Sequence, residues 1–244
     1  VLLNQACTTL ASYGDSSPPF RTCVDKWSKT ICSSPHEAWP LNLDISVLES
    51  IIQWNCDNEV RYRCMWSTVE DMKKHNLTVE KFYGKWPFVR ILGIQEPASA
   101  LFSLISMIVF ARGIFILQTI PSAVPTRDTL LFTYLLGLNA FLWSTLYHAK
   151  ETEISEYMDY FGAIAAVTGF GQALVVRIFL GHRRLTSVSL AFFICLFLHH
   201  AYYMIFIKFD YGYSRLVGYS IGVPTVVGWL LIFVINFWKF RSER

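Results

Sequence analysis

The sequence predicts an all-α polytopic membrane protein in which a cysteine-containing N-terminal cap precedes five transmembrane helices. Three observations support this fold class. Of the 244 residues, 53% are hydrophobic and 16% are charged, with a mean hydropathy of +0.37, which is unusually apolar for a soluble domain. Beyond residue 96, five apolar runs each have roughly the ~20 residues that a bilayer requires. Most of the cysteines lie before those runs, in a polar segment.

The composition also excludes one class of function. The chain has 19 Phe, 12 Tyr and 8 Trp, which is typical of a membrane protein with aromatic belts at its two interfaces. The net charge is only +3, and the basic residues stand at helix ends rather than in one patch. We therefore expect the bilayer as a partner and no nucleic acid.

The N-terminal part of the chain is predicted to be a disulfide-bonded luminal domain. We interpret residues 1–11 as the remnant of a signal peptide whose beginning is missing, and residues 12–96 as the luminal cap. A cysteine-rich polar segment before a membrane domain favours disulfides, whereas a zinc cluster is less favoured because no Cys-x-x-Cys pair is present. Asn76-Leu77-Thr78 is a glycosylation sequon, in agreement with a luminal location.

Two further features of the cap can be predicted from its sequence. Ile45, Leu48 and Ile52 could share one helical face, which predicts a helix at about 44–53. Near the first span, Tyr83, Trp86 and Phe88 alternate with Lys85 and Arg90, a mixture expected at a lipid headgroup boundary.

The transmembrane domain is predicted to extend over residues 97–238, followed by a cytosolic tail at 239–244. Pro97 suits the first turn of the first helix. Glycines and prolines within the apolar runs are tolerated in membrane helices and allow close helix contact. The predicted spans are about 97–117, 129–148, 158–180, 187–207 and 216–238.

The distribution of basic residues predicts the orientation. If the cap is luminal, the cytosolic helix ends carry Arg112, Arg127, Arg177, Arg183, Arg184, Lys239, Arg241 and Arg244. The short luminal loops carry only Lys150, Lys208 and Arg215. This excess agrees with the positive-inside rule. The acidic loop 149–156 then lies on the luminal side.

A candidate site lies around this luminal loop, at the ends of the second and third spans. Ser144 and His148 are four residues apart and share one helical face, and Asp159 opens the third span. Polar groups at the edge of a hydrocarbon layer suggest function. The simpler alternative is a serine bonded to its own helix and a histidine that reaches the interface.

Two catalytic interpretations remain open from the residues themselves. In the first, Ser144 is a nucleophile with His148 as base and Asp159 as orienting group, but no G-x-S-x-G elbow is present. In the second, His148 is a metal ligand and Asp159 a base or a partner of the ligands. His199 and His200 are adjacent on the fourth span, so only one of them could face the same centre.

Longer segments of the sequence resemble a known family. Ser144-x-x-x-His148 followed by Asp159 is similar to the zinc-hydrolase pattern of the CREST membrane superfamily, which includes alkaline ceramidases and adiponectin-type receptors. The longer sequence, from about Cys23 to the end of the chain, resembles the Per1-like family of GPI-remodelling phospholipases A2. The similar segments are Phe82-Tyr-Gly-Lys-Trp-Pro-Phe88, Gln95-Glu-Pro-Ala-Ser-Ala100, Leu138-Asn-Ala140, Trp143-Ser-Thr145, Met158-Asp-Tyr-Phe161 and Phe209-Asp-Tyr-Gly-Tyr213.

The resemblance implies a function, a cofactor and residue roles. The family removes the sn-2 acyl chain of the GPI anchor on GPI-anchored proteins, as zinc-dependent enzymes of the Golgi membrane or, alternatively, the endoplasmic reticulum. It implies that His148 is a zinc ligand, and that Ser144 hydrogen-bonds the zinc-bound water or the substrate oxyanion. Asp159 would accept a proton from that water. It also implies two bridges among the four cysteines Cys23, Cys32, Cys56 and Cys64, with three pairings open.

Two departures from the family pattern affect these expectations. Family caps carry two more cysteines, at the positions of Trp27 and Val60, which suggests that one bridge is missing as a pair. The family is seven-helical, and its last helix carries a His-x-x-x-His that this sequence does not contain. We therefore expect the chain to lack the last two helices and to be inactive alone. The alternatives are a non-catalytic chaperone or trafficking factor and a ceramidase-like amidase.

Overall fold

The computed structural model describes residues 12–32 and 54–242, and over these residues it is built from helices. The signal-peptide remnant at 1–11, the helix predicted at 44–53 and the last two residues of the tail lie outside the described residues. Contacts divide the chain into two compact units, one ending at Pro97 and the other beginning at Ala98. The helices are α1 (Tyr13–Ser16), α2 (Pro18–Ile31), α3 (Cys56–Lys74), α4 (Pro97–Thr119), α5 (Arg127–Ala149), α6 (Glu153–Ile178), α7 (Arg183–Tyr202) with a π-helical turn (Tyr203–Ile207), and α8 (Tyr211–Ser242).

The cap is built on the helix pair α2 and α3. Disulfides join the two helices at two levels, Cys23 to Cys64 and Cys32 to Cys56, with Cα–Cα distances of 5.7 and 5.8 Å. The prediction of disulfides in the N-terminal region is thus confirmed, and the structure selects one of the three pairings. Cys195 in α7 is a free thiol. The buried core around these bridges consists of Phe20, Val60, Cys64, Met65, Val69 and Phe82.

The ends of α3 follow from local sequence signals. Asn55 caps the first turn, because its side chain accepts a hydrogen bond from the Asn58 amide at 2.9 Å. At the other end, Asn76 adopts a left-handed conformation with φ 53°, which asparagine tolerates and which commonly ends a helix. The asparagine of the sequon is therefore exposed, in the turn after α3.

Within residues 12–32 and 54–242, five helices are long and apolar enough to cross a membrane, which confirms the predicted number of spans. Three helix starts differ from the prediction. Helices α6, α7 and α8 begin at Glu153, Arg183 and Tyr211, four to five residues before the predicted starts of their spans. Charged and polar residues occupy these additional turns, and a helix can continue past the hydrocarbon layer that hydropathy detects.

Helix α6 is the central element of the second unit. It packs on α5, α7 and α8. Of its apolar 18-residue stretch, 39% is buried inside the structure, against 6% of the corresponding stretch of α8. Small residues permit close approach. A Cβ added at Gly162 would lie only 3.0 Å from the Cα of Ala140 in α5, so the two backbones are nearly in contact. Helix α6 therefore sets the positions of its three neighbours.

Candidate active site

The hairpin of α5 and α6 carries the three residues predicted from the sequence. Ser144 and His148 lie on the last two turns of α5, and Asp159 lies on the second turn of α6. Residues 150–152 connect the helices, and the Thr152 side chain caps α6 by accepting a hydrogen bond from the Ser155 amide at 3.1 Å. Because α6 begins at Glu153, Asp159 is inside the helix rather than at its opening.

The register of the two helices brings Ser144 and Asp159 to one level. The Thr133 hydroxyl donates a hydrogen bond to the Gly169 carbonyl at 3.2 Å, and Ala140 faces Gly162. Ala140 follows Thr133 by seven residues on α5, and Gly162 precedes Gly169 by seven residues on α6, so the two helices run antiparallel. Four residues further along α5, Ser144 lies level with position 158, adjacent to Asp159. The register therefore places Ser144 at the level of the residue before Asp159, and the grouping of the two side chains stays a prediction.

A hydroxyl group on α4 joins the site and was missed by the sequence analysis. The Ser103 hydroxyl is buried and donates a hydrogen bond to the Ser144 hydroxyl at 3.1 Å. The same antiparallel register is seen deeper in the α4–α5 pair, where Phe110 packs against Gly137. Ser103 stands within the apolar run Leu101-Phe-Ser-Leu104, so only this tertiary register reveals its partner.

The first turn of α6 is also anchored to α8. Glu156 is buried, and its carboxylate accepts a short hydrogen bond from the Tyr211 hydroxyl. Beside it, the rings of Tyr157 and Phe209 lie edge to face at 4.6 Å. The sequence analysis placed Glu156 in an acidic loop, whereas the structure places it in α6 as an anchor between helices. This contact joins the α5–α6 connection to the α7–α8 connection at one end of the bundle.

Of the adjacent histidines on α7, His199 is exposed and His200 is buried. The His200 side chain is 1% exposed, and neither ring nitrogen has a hydrogen-bond partner among the described residues. Its ring stacks on Tyr213 at a centroid distance of 5.4 Å and meets Phe161 edge-on. A buried histidine is expected to be bonded, so this arrangement is unusual. The π-helical turn that follows, a feature frequent at functional sites, begins three residues later.

The α7–α8 connection positions Tyr213. The Asp210 carboxylate accepts hydrogen bonds from the amides of Gly212 at 2.9 Å and Tyr213 at 3.1 Å, and it pairs with Lys208 at 3.0 Å. The amide of Tyr213 is the largest cause of the lowered pKa of Asp210, and the Lys208 ammonium lowers this pKa further. The Asp210 carboxylate thus caps α8 in its charged form.

The donor set does not fit a complete zinc site within residues 12–32 and 54–242. Among them, no group of three or more His, Cys, Asp or Glu side chains could hold a metal ion, and a catalytic zinc needs about three protein ligands. Nor is Ser144 an exposed nucleophile, because it lies inside a regular helix. What the described site shows is a hydroxyl pair, Ser103 and Ser144, between helices α4 and α5.

Comparison with known proteins gives concordant matches. The model of the Per1-like family matches residues 46–243. A zebrafish (Danio rerio) protein named GPI-specific phospholipase A2-like PGAP3 is 34% identical over 226 residues, which cover 90% of this chain and 70% of that protein. The mouse (Mus musculus) protein of the same name is 33% identical over 243 residues, 96% of this chain and 71% of the relative.

A fungal relative extends the similarity. The Schizosaccharomyces pombe protein named Protein PER1 homolog is 31% identical over 227 residues, which cover 90% of this chain and 67% of the relative. No solved structure matches the chain.

Proposed function

This chain belongs to the Per1-like family, and we propose that it remodels GPI anchors by hydrolysing the sn-2 acyl ester of their phosphatidylinositol. The name that the vertebrate relatives share, GPI-specific phospholipase A2-like, supports both the lipid class and the ester position. GPI-anchored proteins would be the substrates.

The observation that carries the proposal is the level of Ser144 and Asp159 in the bundle. Ser144 is five residues from the end of α5, and Asp159 is six residues from the start of α6. At ~1.5 Å per residue, both lie about 7–9 Å inside the helix ends. The ester bonds of a glycerolipid lie just below its headgroup, so this depth suits an enzyme that attacks a lipid ester without extracting the lipid.

The side chains suggest a division of roles. Ser103 donates its proton to the Ser144 oxygen, so Ser144 can donate its own proton to the oxyanion that forms when water attacks the ester. Asp159 would accept a proton from that water as a general base. Ser103 would act only by orienting Ser144.

Zinc dependence is the part of the proposal that rests on the resemblance alone. We propose His148 as one ligand. Since the described residues contain no three-donor group, the remaining ligands would have to come from outside residues 12–32 and 54–242.

We also propose that the cap is luminal and that the protein resides in the Golgi membrane, with the endoplasmic reticulum as the alternative. The excess of basic residues at the opposite helix ends supports this orientation. A glycan on Asn76, removable by endoglycosidase, tests it, and a C-terminus protected from cytosolic protease would contradict it.

The enzymatic proposal is tested in cells that lack their own GPI-remodelling phospholipase. The protein is expressed there, and the release of the sn-2 chain from GPI-anchored proteins is measured as lyso-GPI. We expect no release from these 244 residues alone, release once the family's last two helices are appended, and none from Asp159→Asn in that longer chain. Asp128→Asn is the matched control, because Asp128 is exposed at the opposite end of the α5–α6 hairpin and pairs with Arg127.

The same cells separate the alternatives. If Asp159→Asn restores surface delivery of GPI-anchored proteins as well as the wild type does, without lyso-GPI in either case, the chaperone or trafficking interpretation is favoured. Hydrolysis of ceramide instead of GPI would favour the amidase.

A further inference from the structure

Two tight turns shape the segment of the cap between residues 82 and 94. In each turn the outer residues exchange backbone hydrogen bonds, Phe82 with Lys85 and Ile91 with Ile94. The central residues of the second turn, Leu92 and Gly93, both have positive φ, at 54° and 77°. Glycine adopts this conformation readily, but it is strained for a bulky residue such as leucine.

Leu92 is also exposed, and so are its apolar neighbours. The exposed fractions are 65% for Leu92, 56% for Ile91, 61% for Val89 and 60% for Trp86. In water, both the strained backbone and the exposed apolar surface are unfavourable, and asparagine would suit the turn better. Strain of this kind at an exposed position indicates a function for the side chain itself.

Residues 82–94 are held against the rest of the cap by contacts of Arg90 and Trp54. The Arg90 guanidinium lies between the rings of Trp54 and Tyr62, 3.7 and 4.1 Å from their centroids, and forms an ion pair with Glu59 at 2.7 Å. The Trp54 indole also donates a hydrogen bond to the Gly93 carbonyl at 2.7 Å. Arg90, expected at a headgroup boundary, instead has a buried side chain. Its contacts with Trp54, Tyr62 and Glu59 fix which side chains of the segment face outward.

The outward side chains are close in sequence to the first candidate membrane span. The Lys85 ammonium pairs at 3.1 Å with Glu96, which directly precedes Pro97, the first residue of a candidate span. Leu92 is five residues from Pro97, which limits their separation to about 17 Å. The Lys81 ammonium lies over the Trp86 ring, and Trp with Lys is the pairing that membrane interfaces favour.

We propose that Trp86, Val89, Ile91 and Leu92 form a membrane-docking edge that inserts into the headgroup region of the bilayer that α4 enters. The bilayer is the occupant because the edge ends only five residues before Pro97, where a candidate membrane span begins. The edge holds the cap at that surface, whether or not the protein is an enzyme.

The test measures the depth of a nitroxide label in the whole protein, reconstituted into phosphatidylcholine nanodiscs. A background without Cys7 and Cys195 carries one label, at Leu92→Cys or at Leu77→Cys. Leu77 is the matched control, because it is 61% exposed but stands in the polar turn after α3. Collision rates with oxygen, which enters lipid, and with a water-soluble nickel complex give the depth.

We expect the label at position 92 to collide more with oxygen and the label at position 77 to collide more with nickel. A label at position 92 that nickel reaches as easily as the control would overturn the proposal. A label at position 92 that neither oxygen nor the nickel complex reaches would also overturn the proposal, because the edge would then be covered by protein.

A second measurement avoids introduced cysteines, in case Leu92→Cys disturbs the turn. In lipids brominated near the headgroup, Trp86→Phe should remove a quenchable part of the tryptophan emission. Trp27→Phe, which alters another exposed tryptophan of the cap that also lies beneath a lysine, should remove an unquenched part. Equal effects of the two variants would contradict membrane docking.

Discussion

Replacing Gly162 by alanine should separate α5 from α6 and thereby disturb the candidate active site. The added Cβ would lie 3.0 Å from the Cα of Ala140, which is 0.4 Å short of the 3.4 Å at which ordinary contact begins. The opposing atom belongs to the backbone of a helix, so no side chain can rotate away. The helices themselves must move apart by at least that amount.

The free energy follows from two opposing effects. Overpacking of this kind costs about 1–3 kcal/mol, whereas glycine to alanine in a helix gains about 0.5–1 kcal/mol. We therefore expect a net destabilisation of about 0–2.5 kcal/mol. Activity should fall more than stability, because the displacement occurs one turn from Asp159 and directly alters its spacing from Ser144.

Gly222→Ala is the matched control for this prediction. Gly222 lies on α8 and also faces α6, but an added Cβ would lie 3.7 Å from a Val167 methyl group, which is an ordinary contact. This variant should gain helix propensity without a clash. Thermal unfolding in detergent and lyso-GPI release in cells are measured for both. If Gly162→Ala is as stable and as active as Gly222→Ala, the close register of α5 and α6 is wrong.

Three further predictions concern single side chains. In a chain extended by the family's last two helices, His148→Ala should abolish hydrolysis and lower the zinc content, Asp159→Asn should abolish hydrolysis but retain most zinc, and Ser144→Ala should be milder. Equal zinc loss in all three, measured by atomic emission, would show that the roles are misassigned. Because the folded-state pKa of Asp210 is lowered, its contribution to stability is present above its ordinary pKa of about 3.8 and is lost as the pH falls through the folded-state value. Asp210→Asn should therefore flatten the acid limb of the melting-temperature profile below about pH 4, and an unchanged limb would contradict the cap at the first turn of α8. His200→Leu should leave stability equal or raise it by about 1–3 kcal/mol, because it removes buried ring nitrogens without partners, and a clear loss of melting temperature would indicate that these nitrogens are bonded in the membrane.

The spans could be predicted from the sequence because an apolar run of bilayer length has few other uses. Their starts could not be predicted equally well. Glu153 and Glu156 resemble a loop in a hydropathy profile, yet the Thr152 cap extends α6 through them and Tyr211 binds Glu156. Hydropathy measures the hydrocarbon layer, whereas helix length depends on caps and on tertiary hydrogen bonds.

The candidate site was predictable only in part, for a similar reason. The helical period already places Ser144 and His148 on one face. The contribution of Ser103 depends on the register between two helices, which local sequence does not specify. Arg90 shows the same limit in the cap, because a cation near the membrane has two stable environments, lipid headgroups or aromatic rings. The choice depends on Trp54 and Tyr62, distant in sequence and brought together by the fold.

The two disulfides of the cap are nested, and this arrangement affects how the chain closes on itself. Cys32–Cys56 spans 24 residues within the 41 residues spanned by Cys23–Cys64. Loop-closure entropy makes the shorter loop the easier one to close. Once it is closed, the outer pair must close only the two short helical segments between the bridges, so its entropic cost falls well below that of the full loop. Closing the inner bridge first therefore shortens the loop that the outer bridge must close.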